Sequence, residues 1–259
     1  MDAPIGPLGW AFIALLGALW GSFSYTLALR IASGAFDENP LRALLSRSRC
    51  PSCGGAVSAI ALVPIVGYAL VRGRCEHCGA RVSPFYPLAE LLHAALLVLV
   101  VRAFGAGAYS AVVFIALSLG MAIAVVDVKT LTVPGALVAS TAALALYPAI
   151  AFGRPVEHLI GAAGMFAFFA LIMLLFPGGF GGGDLKYAAA IGFFIGWELS
   201  IVAVETALVT GALAGTAYAL LTRKGLRIRF PFAPFLALGF AVAVLYGRDL
   251  ILLYGRIAW

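Results

Sequence analysis

Gly178–Lys186 reads GGFGGGDLK and lies between two long apolar runs, 157–176 and 185–201. It therefore sets Asp184 at the edge of a membrane-length segment. Carrying a carboxylate into lipid costs at least about 2.5–3.5 kcal/mol, so a residue so placed is read first as functional. The glycine-rich approach from Gly178 to Gly183, with Gly181, Gly182 and Gly183 as its substrate-facing residues, puts few side chains between the backbone and an approaching substrate, and it permits the positive φ that could aim the carboxylate. A plain turn between spans explains the Pro177–Gly179 run but does not call for Asp-Leu-Lys directly behind the glycines. The counterpart is DVKTLTVPG, Asp127–Gly135, where Asp127 closes another apolar run. Its blander reading is an interfacial cap, since Thr130, Thr132 and Pro134 resemble a loop leading into a helix start. The two carboxylates are expected to meet as an acid/base pair.

The composition decides the class. Of 259 residues, 63% are hydrophobic and 11% charged, and the mean hydropathy is +1.07. Soluble domains carry roughly 45–50% apolar and about 25% charged residues. An all-α polytopic membrane protein follows, because backbone groups in lipid must be satisfied within each segment. The formal charge of +6 does not point to nucleic acid: the basic residues are dispersed in loops between apolar runs, as on a membrane rim. The segment Leu8–Leu29 is long enough to span, and Met1-Asp2 lacks the basic start of a cleavable signal.

Eight transmembrane helices are expected, near 8–29, 86–102, 108–126, 134–152, 157–176, 185–201, 203–221 and 233–253. The break between the sixth and seventh is placed at Ser200–Val204. Alternate connections then separate the basic residues. One side holds Arg30, Arg42, Arg47, Arg49, Arg72, Arg74, Arg81, Lys129, Lys186, Arg223, Lys224, Arg227 and Arg229. The other holds only Arg102, Arg154, Arg248 and Arg256. The positive-inside rule puts the first set in the cytoplasm. Both aspartates then lie on the cytoplasmic side, one closing the third span and one opening the sixth. The domain division is 1–29 as the first span, 30–85 as a cytoplasmic cysteine-rich region and 86–259 as a seven-helix core.

Residues 30–85 are too few for an ordinary core without a staple. CPSC (Cys50–Cys53) and CEHC (Cys75–Cys78) supply one. Four thiolates suit tetrahedral Zn²⁺ in a closed structural site, and Gly54, Gly55 and Gly79 follow the pairs where tight turns need permissive backbone. Disulfides or a redox pair remain the alternative. His77, inside the second pair, is read as solvent-facing rather than as a ligand. Between the pairs, Ala59–Val71 is apolar but too short to span, and Pro64 and Gly67 interrupt it. It reads as a segment lying on the membrane or packed against helices.

Other acids have weaker signals. Glu90 is a helix-start or site residue, and Glu205 an interfacial one. Lys129 and Lys186 each follow an aspartate by two residues, a spacing that does not face on a helix, so they read as rim anchors. Gly17/Gly21, Gly192/Gly196 and Gly211/Gly215 have the spacing of close helix packing.

Taken together, GSF (Gly21–Phe23), the two CxxC pairs, SPFYPLAE (Ser83–Glu90), Asp127 with Pro134, GGGDLK (Gly181–Lys186) and FPFAPFLALG (Phe230–Gly239) run in order along most of the chain. In this the sequence resembles the type IV prepilin peptidases, bacterial intramembrane aspartyl proteases of the GxGD group. The resemblance implies an eight-helix fold in the bacterial inner membrane and Asp127 and Asp184 as catalytic residues. It also implies cleavage of the basic leader from prepilin or pseudopilin precursors at the cytoplasmic face. N-methylation of the new terminus from S-adenosylmethionine is implied as well, although GSFSY puts Tyr25 where the family pattern has asparagine. Two other classes compete: a carboxylate-coupled transporter, which would set acids through the membrane depth, and a zinc-stapled scaffold without chemistry.

Overall fold

The computed structural model describes residues 5–38, 40–176, 181–222 and 230–257. Gly178–Phe180 of the glycine run, and Arg223, Lys224, Arg227 and Arg229 of the basic rim, lie outside the described residues. The chain divides into two compact units, Met1–Ala106 and Gly107–Trp259. Among the described residues helix dominates, with turns and loops over 46–65 and 71–84 and isolated antiparallel bridges at Arg49/Ala56 and Arg74/Arg81.

The first unit holds α1 (Pro7–Ala32), the short α2 (Ala35–Glu38), α3 (Pro40–Leu45) and α4 (Val66–Leu70), and then α5 (Phe85–Phe104). Helix α1 begins on a proline at its first turn, where the missing N–H costs nothing. It lies against α5 through small residues. A Cβ on Gly17 would stand 2.6 Å from the His93 carbonyl oxygen, and one on Gly21 2.8 Å from that of Ala89. Such spacing lets two backbones approach where no hydrophobic effect drives helices together. At the far end of α1, Arg30 donates to the carbonyls of Ala43 at 2.5 Å and Ser46 at 2.8 Å, gathering the C-terminal end of α3.

The second unit holds α6 (Ala108–Thr130), α7 (Gly135–Ala151), α8 (Pro155–Leu175), α9 (Gly182–Thr222) and α10 (Ala233–Ile257). Helices α8 and α9 touch backbone to backbone at Gly161 and Gly192, and α10 meets α9 where Gly239 abuts the Ala203 carbonyl. The core is aromatic and aliphatic: Phe169, Tyr187, Phe194 and Phe240 are fully buried, with Phe194 and Phe240 edge to face at 5.2 Å.

Six helices among the described residues are long and apolar enough to cross a membrane, and α7 is a shorter apolar helix of 17 residues. Helix α9 runs for 41 residues but is broken at Gly196, with φ 77 and ψ 175. This corrects the break expected at Ser200–Val204. Glycine tolerates that conformation without steric cost, so one residue suffices and no turn cluster is needed. Gly196 faces the Glu157 carbonyl in the first turn of α8, so the first part of α9 runs alongside α8 and breaks where α8 begins.

Candidate functional site

Asp127 lies in the last turn of α6, and Asp184 in the first turn of α9. Both are buried, at 4% and 8% exposure. Their neighbourhoods join where Gly183, next to Asp184, packs on Val133 of the turn that follows Asp127. Helix ends carry unsatisfied backbone groups, and here the carboxylates meet amide donors. Asp127 Oδ2 accepts from the Ala233 N–H at 3.0 Å, the first amide of α10. Asp184 Oδ2 accepts from the Gly181 N–H at 3.0 Å. Each carboxylate therefore sits at the positive end of a helix, where negative charge is favoured. The second oxygen of Asp184, Oδ1, is buried with no hydrogen-bond partner among the described residues.

Asp127 does not cap α7, the helix that follows it; its carboxylate caps α10 instead. Pro134 precedes α7 with no side-chain cap. The α6 helix instead closes on Leu131, which is left-handed at φ 54 and returns its N–H to the Asp127 carbonyl at 2.8 Å. Thr130 donates to the Val126 carbonyl at 2.9 Å and shares a 2.7 Å hydrogen bond with Thr132. These threonines hold the α6–α7 turn and leave the carboxylate free to reach α10.

Among the described glycines of the run, Gly181, Gly182 and Gly183 have no positive φ, and Gly178 and Gly179 lie outside the described residues. Gly183 is instead in close contact with the α6–α7 turn, since a Cβ there would stand 2.7 Å from Val133 Cβ. Gly182 meets nothing within 4 Å among the described residues, and a Cβ on Gly181 would lie 3.5 Å from Asp184 Oδ2. Lys129 and Lys186 are exposed and make no ion pair among the described residues; the i, i+2 spacing keeps each from the aspartate it follows. Sequence reasoning missed Tyr187, one turn beyond Asp184, whose hydroxyl is buried without a partner among the described residues against Gly120 of α6. It also missed the Ala233 amide, for which no side chain gives a signal.

In the first unit, Cys50, Cys53, Cys75 and Cys78 bring their sulfurs within 4.8 Å of one another. The Cys50–Cys78 and Cys53–Cys75 separations are both 3.9 Å. Four sulfurs about 2.3 Å from one zinc, at tetrahedral angles, would lie about 3.8 Å apart, so the donor set fits Zn²⁺. The two pairs fold alike. Gly54 and Gly79 both have φ 71 and return their N–H groups to the Cys50 and Cys75 carbonyls at 2.9 Å. Gly55 is small for another reason: a Cβ would collide with the His77 ring at 2.6 Å. His77 is exposed, and its Nε2 lies 3.0 Å from the Ala56 carbonyl, outside the sulfur cluster. The Cys53 and Ser52 amides hold the Cys50 thiol down at about 6. Against the Ala80 amide, burial and the other three thiols push Cys78 up to about 11. Crowded sulfurs resist ionising together, and a bound dication removes that resistance.

Glu90 is buried on α5, where its Oε2 accepts from the Ile65 N–H at 2.7 Å. Ile65 has φ 63, a conformation unusual for a β-branched residue. Glu90 thus anchors the turn that opens α4. Glu205 is exposed.

Two family models match the chain: the bacterial peptidase A24 N-terminal domain over residues 15–104 and the type IV leader peptidase family over residues 113–216. A prepilin leader peptidase/N-methyltransferase of Bacillus subtilis is 34% identical over 257 residues, covering 96% of this chain and 98% of the relative. The protein of that name from Burkholderia pseudomallei is 33% identical, with 95% of this chain and 88% of the relative covered. One from Myxococcus xanthus is 30% identical over 85% of this chain and 66% of its own length. No solved structure matches. Kinship along nearly the whole of both chains leaves one conclusion: the chain belongs to the type IV leader peptidase family and is a peptidase.

Proposed function

We propose that this protein is an intramembrane aspartyl endopeptidase that removes the basic leader from type IV prepilin or pseudopilin precursors at the cytoplasmic face of the bacterial inner membrane. The observation that carries the proposal is the burial of two carboxylates, Asp127 at the end of α6 and Asp184 at the start of α9, on either side of the Gly183–Val133 contact. In the reaction, one carboxyl is ionised and takes a proton from water, which attacks the scissile carbonyl. The other is protonated and donates to the developing oxyanion. Collapse of the tetrahedral intermediate then breaks the C–N bond as the leaving nitrogen takes the proton that the first carboxyl drew from water. The amides of Ala233 and Gly181 each engage one oxygen of the pair. Asp184 Oδ1 is left as the atom to meet water or substrate.

The reading takes eight crossings. A 41-residue helix would reach about 60 Å, twice the roughly 30 Å hydrocarbon core, and the break at Gly196 is read as dividing α9 into a short crossing of about 21 Å and a longer one. With α7 as a short crossing, the basic connections fall on one side, and so do both aspartates. By role, residues 1–29 form the first crossing, 30–85 the cytoplasmic zinc module and 86–259 the crossings that carry the site. Zinc, held by Cys50, Cys53, Cys75 and Cys78, would be a structural staple with no open coordination position. Gly181, Gly182 and Gly183 border the scissile segment.

N-methylation stays with the relatives' names. Tyr25, at the asparagine position of the family pattern, is buried edge-on against Tyr86 at 4.9 Å. A phenol there lacks the paired donor and acceptor of an amide, so this position does not fit S-adenosylmethionine as asparagine would. The test of proteolysis is direct: purified protein, incubated with a prepilin in detergent, should release the leader. A transporter or scaffold would leave the prepilin intact.

A further inference from the structure

The cysteine module carries an arrangement that proteolysis does not use. A cavity of about 470 Å³ is lined by Arg72, Arg74 and Arg81, together with Tyr68, Ser83 and Pro84. Arg74 and Arg81 stand opposite each other across an antiparallel bridge. Like charges directly opposite repel, and a chain would normally relieve them with an acid. Here none of the three arginines makes an ion pair among the described residues, where the single salt bridge is Arg154–Glu157. Arg72 itself has φ 51, and the Val82 N–H bonds back to the Gly73 carbonyl at 2.8 Å, so the loop presenting the arginines is fixed.

The cavity also has a defined depth. Ser83 and Pro84, in its wall, immediately precede the membrane-length helix α5. The Glu90–Ile65 hydrogen bond ties the preceding apolar turn to the second turn of that helix. On this turn Ile60, Leu62, Val66 and Leu70 are exposed, Leu70 by 63%. Apolar side chains at the mouth of a span lie at the boundary of headgroups and acyl chains. Unpaired guanidiniums beside them lie where lipid phosphates are, and Arg binds phosphate through paired N–H donors.

We propose that this cavity binds the phosphate of an anionic phospholipid, with the Ile60–Leu70 turn seated among the acyl chains, and so docks the zinc module on the bilayer. The proposal goes beyond the cleavage reaction and rests only on the membrane reading of the chain.

The test uses the full-length protein in nanodiscs of phosphatidylcholine mixed with phosphatidylglycerol, with retained lipid read by native mass spectrometry. Both leaflets carry the anionic lipid, so the result is independent of orientation. Wild type should retain phosphatidylglycerol over phosphatidylcholine on the order of tenfold or more, given three basic contacts. R72Q/R74Q/R81Q should lose that preference, and the triple lysine variant should keep part of it. Tm reports that each variant is folded. If the triple glutamine variant does not fold, the single Arg81→Gln variant carries the test, with an expected loss of about fivefold. An unchanged preference in folded glutamine variants overturns the proposal. So does a wild type that binds inorganic phosphate but shows no preference for phosphatidylglycerol. Leader release in detergent reads the aspartate pair separately, so the two proposals fail independently.

Discussion

Replacing Gly183 by alanine probes the site at its tightest point. The added Cβ would stand 2.7 Å from Val133 Cβ and 3.3 Å from Cγ2. Two carbons prefer about 3.5–4.0 Å, so one backbone must yield by about 1 Å. Overpacking of that order costs about 1–3 kcal/mol of stability. The larger effect should fall on the rate, because the next residue is Asp184, and misplacing a reacting group by about 1 Å costs roughly 100-fold. Gly182, two residues before the same carboxylate, meets nothing within 4 Å among the described residues. Gly182→Ala should therefore keep the wild-type Tm and lose less activity than Gly183→Ala, since its methyl meets only the substrate. Val133→Gly removes both colliding carbons and should restore activity to Gly183→Ala. The assay is conversion of a purified prepilin to its leaderless form in detergent, with Tm measured for each variant. Equal losses at Gly182 and Gly183, or a Gly183→Ala variant with wild-type turnover, would refute the reasoning.

Three further outcomes follow from the packing and the cysteine cluster. The Tyr187 hydroxyl is buried without a partner among the described residues, and leaving a buried donor unmade costs about 1–3 kcal/mol. Tyr187→Phe should hold or raise Tm with activity retained, and a clearly lower Tm would reveal a partner for the hydroxyl. Gly192 meets the Gly161 carbonyl across the α8–α9 contact. Gly192→Leu should therefore destabilise the second unit by at least about 1–3 kcal/mol, and an unchanged Tm would contradict that contact. The four cysteines should hold a single zinc ion per chain, measured by elemental mass spectrometry. Cys75→Ser should lower that occupancy and speed tryptic cutting near Arg74; full occupancy in the variant, or none in the reduced wild type, would dismiss the zinc site.

The helices were legible because lipid forces the signal: each crossing must be a long apolar run with its backbone satisfied internally. The break in α9 was not, since apolar sequence continues through Ile195, Gly196 and Trp197, and a single glycine at φ 77 makes the turn. Trp197 and Glu198 next to it are the available hint, an aromatic and an acid of the interfacial type. Glycine spacing marked Gly17/Gly21 and Gly192/Gly196 as contact surfaces but could not name α5 or α8 as their partners. At the site, the aspartates stood out because carboxylates are rare in apolar sequence. Their amide donors did not, because every residue but proline offers the same N–H. Gly183 was singled out for flexibility, whereas its need is for room beside Val133, a distance between segments that no local pattern encodes.

The central claim is that Asp127 and Asp184 work as one catalytic unit, and leader release by Asp127→Asn, Asp184→Asn and the double variant tests it most directly. Asparagine keeps the shape of each side chain and removes its proton chemistry. Residues that act as a unit are non-additive, so each single variant should lose cleavage while keeping its Tm, and the double variant should lose no more than either alone. Near-wild-type release from either folded single variant would contradict the account.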